Sequence, residues 1–131
     1  MKKSHFLCLL ITCFLFSACK KSNSTVEIKY EVTVSAPAAF TAQYTLNNSS
    51  YNTEAVTGLT WQKIISAFPV ESGGAPTVVK LVLYPPASWA GTANSATVTL
   101  KILKNGTEIS QVSDVINASH ISLGVYTIAS F

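Results

Sequence analysis

The chain has 131 residues and a formal net charge of +3, and its nine basic residues, all lysine, stand against six acidic ones. Without arginine it lacks the planar bidentate donor that reads phosphates and guanine edges, so nucleic acid is excluded as a partner. Its length allows one small core and not two.

Lys2 and Lys3 precede a largely apolar stretch from Phe6 to Phe16, followed by the small residues Ser17 and Ala18. That stretch is too short for a membrane span, which takes about 20 apolar residues, and with its flanks it reads as a secretory signal over residues 1–18. Phe16-Ser17-Ala18-Cys19 resembles the lipobox of bacterial lipoproteins, although Phe16 stands where Leu is usual. The resemblance implies cleavage before Cys19 and a lipid on its sulfur. Residues 19–25 would then be the anchor and a polar tether, and residues 26–131 the domain. The membrane becomes a partner through Cys19, and the cell envelope the location. Residues 20–25 reach roughly 20 Å when extended. Lys20 and Lys21 either add roughly 1 kcal/mol each against anionic head groups or simply keep the tether soluble. Cys8 and Cys13 fall inside the signal, so no intramolecular disulfide is available to the mature chain.

From Val26 the pattern has period two, with Val26, Ile28, Tyr30, Val32 and Val34 facing one side and Glu27, Lys29, Glu31, Thr33 and Ser35 the other. After Pro37 the alternation returns with Phe40, Ala42, Tyr44 and Leu46, and Asn47-Asn48-Ser49-Ser50 ends it. These two segments are expected to pair as adjacent antiparallel strands. A weaker strand is expected around residues 54–57. Another, over residues 61–68, alternates Trp61, Lys63 and Ile65 with Gln62, Ile64 and Ser66, although a short helix would also fit it. Residues 71–76 read as a loop leading into Val78-Val79-Lys80-Leu81-Val82-Leu83-Tyr84. Being apolar on both sides, this run suits a strand covered on both faces or one whose outer face meets a partner. Pro85-Pro86 ends it, and Trp89 follows in a loop. Asn105-Gly106 is a hairpin signal, because both central positions of a type I′ turn need positive φ, and it should join strands over residues 96–104 and 107–112. A last strand over residues 121–129 carries Gly124 as a bulge.

Seven or eight short strands rich in Thr, Val, Ser and Tyr predict an all-β, immunoglobulin-like antiparallel sandwich, with a small barrel as the other solution. For catalysis the mature chain offers one histidine, His120, one aspartate, Asp114, and no serine marked as a nucleophile, so no enzyme is expected. No metal-ligand spacing and no phosphate loop occurs, and no cofactor is expected. Glu27, Lys29 and Glu31 read as a self-neutralised wet face. Trp61 is expected in the core. Trp89, and Tyr51 in the Asn/Ser loop, are the candidates for contact with a ligand or partner, a glycan among them.

Tyr30-Glu31-Val32-Thr33, Phe40-Thr41-Ala42-Gln43-Tyr44-Thr45, Trp61-Gln62-Lys63, and Val98-Thr99-Leu100-Lys101-Ile102 running into Asn105-Gly106 together resemble the soluble domain of MmpS-like proteins. That resemblance implies a small β-sandwich outside a cell membrane that assists an envelope transporter of the resistance-nodulation-division type. The chain departs from the mycobacterial members in having a lipobox where they have a transmembrane helix, and in lacking cysteines in its C-terminal half. The expected function is therefore non-catalytic contact with an envelope protein. The alternative is a glycan- or small-molecule-binding module that uses loop aromatics.

Overall fold

A computed structural model describes residues 24–131, so the predicted signal, Cys19 and most of the tether lie outside the described residues. Eight strands follow one another: β1 Thr25–Val34, β2 Phe40–Asn47, β3 Ser50–Val56, β4 Thr60–Pro69, β5 Val78–Tyr84, β6 Ser95–Lys104, β7 Thr107–Asn117 and β8 Val125–Ser130. They build two antiparallel four-stranded sheets, ordered β4-β1-β6-β7 and β3-β2-β5-β8, in a sandwich-like arrangement. Among the described residues the only helices are two short 3-10 turns, Ala87–Trp89 and Ala118–His120, and no helix is long and apolar enough to cross a membrane.

The period-two pattern decides which way each strand faces. Ile28, Tyr30, Val32 and Val34 of β1 pack inward, as do Val98, Leu100 and Ile102 of β6, and they meet Phe40, Tyr44, Leu81 and Leu83 of the opposite sheet. Each such side chain contributes roughly 1.5–3 kcal/mol through its burial. β1 and β2, expected to pair edge to edge, instead lie in different sheets, where β1 pairs with β4 and β6 and β2 with β3 and β5. Their apolar stripes meet face to face across the core, with the Tyr30 and Tyr44 rings 5.4 Å apart. A connection through Pro37 takes the chain from one sheet to the other.

Bulges correct the parity where the sequence breaks it. Between Val26↔Phe68 and Ile28↔Ile65 the ladder absorbs one extra residue on β4, so Phe68 turns inward although it is out of step with Trp61, Lys63 and Ile65. A second bulge lets Ile109 of β7 pack against the core. The Asn105-Gly106 turn has φ of 49° and 79°, as a type I′ turn demands, and joins β6 to β7. Asn105 also holds β1, since its N–H donates to the Glu27 carbonyl at 2.9 Å and its Oδ1 accepts from the Glu27 N–H at 2.9 Å.

The last strand starts at Val125, later than the pattern predicts, because Asn117 caps the turn Ala118–His120 and the chain turns again before Gly124. Gly124 is therefore not a strand bulge. It is a left-handed pivot at φ 68°, and a Cβ there would stand 2.5 Å from Val82 Cγ1 and 2.8 Å from the Leu83 carbonyl oxygen.

Each open flank of the sandwich is closed by polar side chains. Beside β7 and β8, the Ser110 hydroxyl lies 2.6 Å from Thr127 Oγ1 and donates to the Ile128 carbonyl at 2.9 Å. Beside β3 and β4, Lys63 Nζ and the Tyr44 hydroxyl both donate to Glu54 Oε1 at 2.6 Å, and Asn52 Nδ2 donates to the Tyr44 oxygen at 2.7 Å.

Candidate functional site

The outer face of the β3-β2-β5-β8 sheet departs from the usual polar exterior of a sandwich. At its upper end the chain before β8 folds over it, and the contact between Gly124 and Val82 keeps Val82 dry although it points outward. The lower end is bare. Tyr51 (60% exposed), Val78 (50%) and Ile128 (47%) stand there, and Tyr126 (53%), opposite Val82, stands at its border, all on the same face by the pairings Thr45↔Tyr51, Lys80↔Ile128 and Val82↔Tyr126.

Local sequence shapes this end into a groove. A bulge at Leu46 shifts the β2–β3 register between Thr45 and Asn47, and the Asn47 side chain accepts from the Ser49 N–H at 3.0 Å, which closes the hairpin without glycine. The β2–β5 ladder stops at Tyr44↔Leu81. Beyond it a side chain replaces the backbone, because Thr45 Oγ1 accepts from the Lys80 N–H at 2.8 Å. The diverging strands leave a groove of about 450 Å3, lined by Thr45, the hairpin tip from Asn47 to Tyr51, Val78, Lys80 and Ile128. Lys80 Nζ lies 4.9 Å from the centre of the Tyr126 ring, a cation–π contact that holds one charge beside the apolar patch.

Tyr51 stands in β3 and not in a loop, because the hairpin turn is shorter than its run of Asn and Ser suggests. Trp89 is placed otherwise: it is 8% exposed, belongs to the core cluster, and meets Phe40 edge-on with ring centres 5.4 Å apart. Its indole plugs the end of the sandwich and offers no open ring. Trp61, expected in the core, lies at its rim, half-buried and 5.7 Å from Tyr44. Cys19 lies outside the described residues. Sequence reasoning missed Tyr126 and Ile128. The signal was there, since β8 is apolar at Val125 and Ala129 on one face and at Tyr126 and Ile128 on the other.

Titratable groups are few. His120 Nδ1 accepts from the Asn117 N–H at 3.2 Å and so completes the cap of its own 3-10 turn, while Asp114 accepts from the neighbouring Val115 N–H at 2.7 Å. No group of three His, Cys, Asp or Glu that could hold a metal occurs among the described residues. In the flank cluster, the hydrogen bond from Lys63, then that from Tyr44, holds the Glu54 carboxyl below its ordinary range. Glu54 in turn raises Lys63, and burial raises Tyr44. Burial also pushes the Tyr30 phenol up, although its hydroxyl donates to the Thr45 carbonyl at 2.8 Å. Tyr30 and Tyr44 are thus held as neutral donors inside the sandwich. The chain matches no protein-family model and no curated protein.

Proposed function

We propose that this protein is a lipid-anchored, non-catalytic domain of the cell envelope that works by holding another envelope protein against the outer face of its β3-β2-β5-β8 sheet. One observation carries the reading: Tyr51, Val78 and Ile128 are exposed together in the lining of a groove with a single charge, Lys80, and the exposed Tyr126 ring lies against that lysine, where a sandwich facing only water would carry polar residues. Exposed tyrosines are among the side chains that concentrate binding energy at the centre of protein interfaces, where charge is depleted. The anchor is Cys19, by the lipobox that Phe16-Ser17-Ala18-Cys19 resembles. From Cys19 to Ser24 the chain spans at most about 17 Å, so the domain would work close to its membrane. The arrangement is read as an immunoglobulin-like sandwich, and the partner class as an envelope transporter, as in the MmpS-like proteins that the strand sequences resemble. A glycan reading through Trp89 has no exposed ring to rest on.

The test places a photoreactive residue at position 51 in the membrane-bound protein. Crosslinking to one envelope protein, lost on Ile128→Ser while Tm stays within a degree or so, supports the reading. Unchanged crosslinking in Ile128→Ser, or crosslinks to lipid alone, overturns it. Mass spectrometry of the exported protein tests the anchor separately: an unmodified Cys19 sulfur removes the anchor and leaves the contact face standing.

A further inference from the structure

The outer face of the other sheet, β4-β1-β6-β7, carries a second groove of different chemistry. The register aligns two rows across all four strands: Thr60, Thr33, Thr99 and Ser113 in one, and Gln62, Glu31, Lys101 and Gln111 in the next. Alternate residues on one strand place the rows roughly 6.6 Å apart, and neighbouring strands at about 4.8 Å make each row roughly 14 Å long. Between the rows, on β1 and β4, the sheet is hollowed into a concavity of about 430 Å3 with Glu31, Thr33, Thr60 and Gln62 as its walls and Val32 and Trp61 between them. One wall is hydroxyl, and Thr99 Oγ1 and Ser113 Oγ, 2.8 Å apart, continue it onto β6 and β7. The other wall has carboxamides at both ends.

Charge decides the class of occupant. Glu31 is paired with Lys29 at 2.6 Å, and Lys101 with Glu108 at 2.9 Å, so each ion in the walls already has its counter-ion. An anionic ligand meets no free cation there, and a cationic one no free carboxylate. A lipid or an apolar peptide meets no large apolar side chain in either row. What fits a hydroxyl wall facing a wall of carboxamides and already paired ions, with donors and acceptors on both sides and no net charge, is a chain carrying many hydroxyls and no charge. We propose that this groove binds a neutral oligosaccharide laid across the strands, its hydroxyls shared between the Thr60–Thr33–Thr99 wall and the amides of Gln62 and Gln111. This site is separate from the apolar groove on the opposite sheet and does not depend on it. With no ring stacked on the sugar, affinity comes from a few solvent-exposed hydrogen bonds, which places it in the millimolar range.

The test is retention of the full chain, purified in detergent, on immobilised linear neutral hexose oligosaccharides, with sulfated and sialylated glycans alongside. Retention on the neutral glycans is expected, with at least a tenfold loss for Thr33→Val combined with Gln62→Ala, no change for Tyr51→Ala, and an unchanged Tm. Should Thr33→Val lower Tm, Gln62→Ala alone, at an exposed edge-strand position, carries the comparison with a severalfold loss. No retention at millimolar glycan, equal retention by the variants, or preference for the sulfated glycans would overturn the proposal.

Discussion

At the scale of single residues, the positions that decide this structure are those where one atom more or fewer changes what the backbone can do. Gly124 is the sharpest case. It combines φ of 68° with a missing Cβ whose place is taken by Val82 Cγ1 and the Leu83 carbonyl. Gly124→Ala is expected to cost roughly 1–2 kcal/mol for the left-handed backbone and roughly 1–3 kcal/mol more for the overlap, read as a lower urea midpoint at unchanged slope. A variant as stable as the parent would mean that the chain before β8 does not press on β5. The sequence offered Gly124 only as an interruption in an apolar run, and a bulge was the nearest reading. Its role as a pivot depends on Val82, forty-two positions earlier, which no local pattern reveals. Asn105-Gly106 was legible for the opposite reason, since its two positive φ values are demanded by the turn itself.

At the scale of strands, pattern gave direction reliably and partnership poorly. Inward and outward faces of β1 and β6 follow from alternation alone, which a hydrophobic core enforces residue by residue. Which strand lies beside which depends on the whole set of sheet contacts, and so β1 and β2, adjacent in sequence and alike in pattern, were expected to pair and do not. The contact face was legible in part. Val78 to Tyr84 announced a two-sided strand and Tyr51 an exposed ring, but the groove between them arises from the Leu46 bulge and the Thr45 side chain, whose effect is visible only once β2 and β5 are set together. The flank between β3 and β4 gives a prediction at the same scale. Glu54 titrates below its ordinary value in the folded chain, so the unfolded chain takes up protons first in acid. The stability it adds is complete above about pH 4.3 and is lost as the pH falls through the lower, folded value. Lys63, raised by Glu54, keeps its share below about pH 10.4 and loses it above. Thermal melts of Glu54→Gln should therefore fall below the parent at pH 6 and approach it as acid protonates the folded carboxyl. Both side chains keep about a third of their surface in water, 36% for Lys63 and 32% for Glu54, so the gap at pH 6 is small and shrinks with salt. Parallel melting curves across that range would show that the ion pair does not close the flank.

At the scale of the whole molecule, the chain passes repeatedly from one sheet to the other, and apart from the β2–β3 and β6–β7 hairpins the strands find their neighbours far away in sequence. Thr33 pairs with Thr99, and Thr41 with Tyr84, before β7 and β8 complete the two layers. Such pairings require large loops to close before any apolar surface is hidden, which puts folding in the range of roughly milliseconds to seconds. Nothing covalent shortens those loops, because all three cysteines precede residue 24 and the described domain contains none. The described domain relies on its core, in which Tyr30, Phe40, Tyr44, Phe68 and their aliphatic neighbours are fully buried, where many secreted domains of similar size rely on disulfides. The consequence is measurable on the full chain. Its urea unfolding curve should be the same with and without excess reductant, and its refolding rate equally indifferent. Trp89→Ala, which opens a cavity against Phe40 at one end of the core, should by contrast cost about 3–5 kcal/mol in either condition. A midpoint that fell on reduction would show that a covalent link outside the two sheets carries part of the stability assigned here to packing.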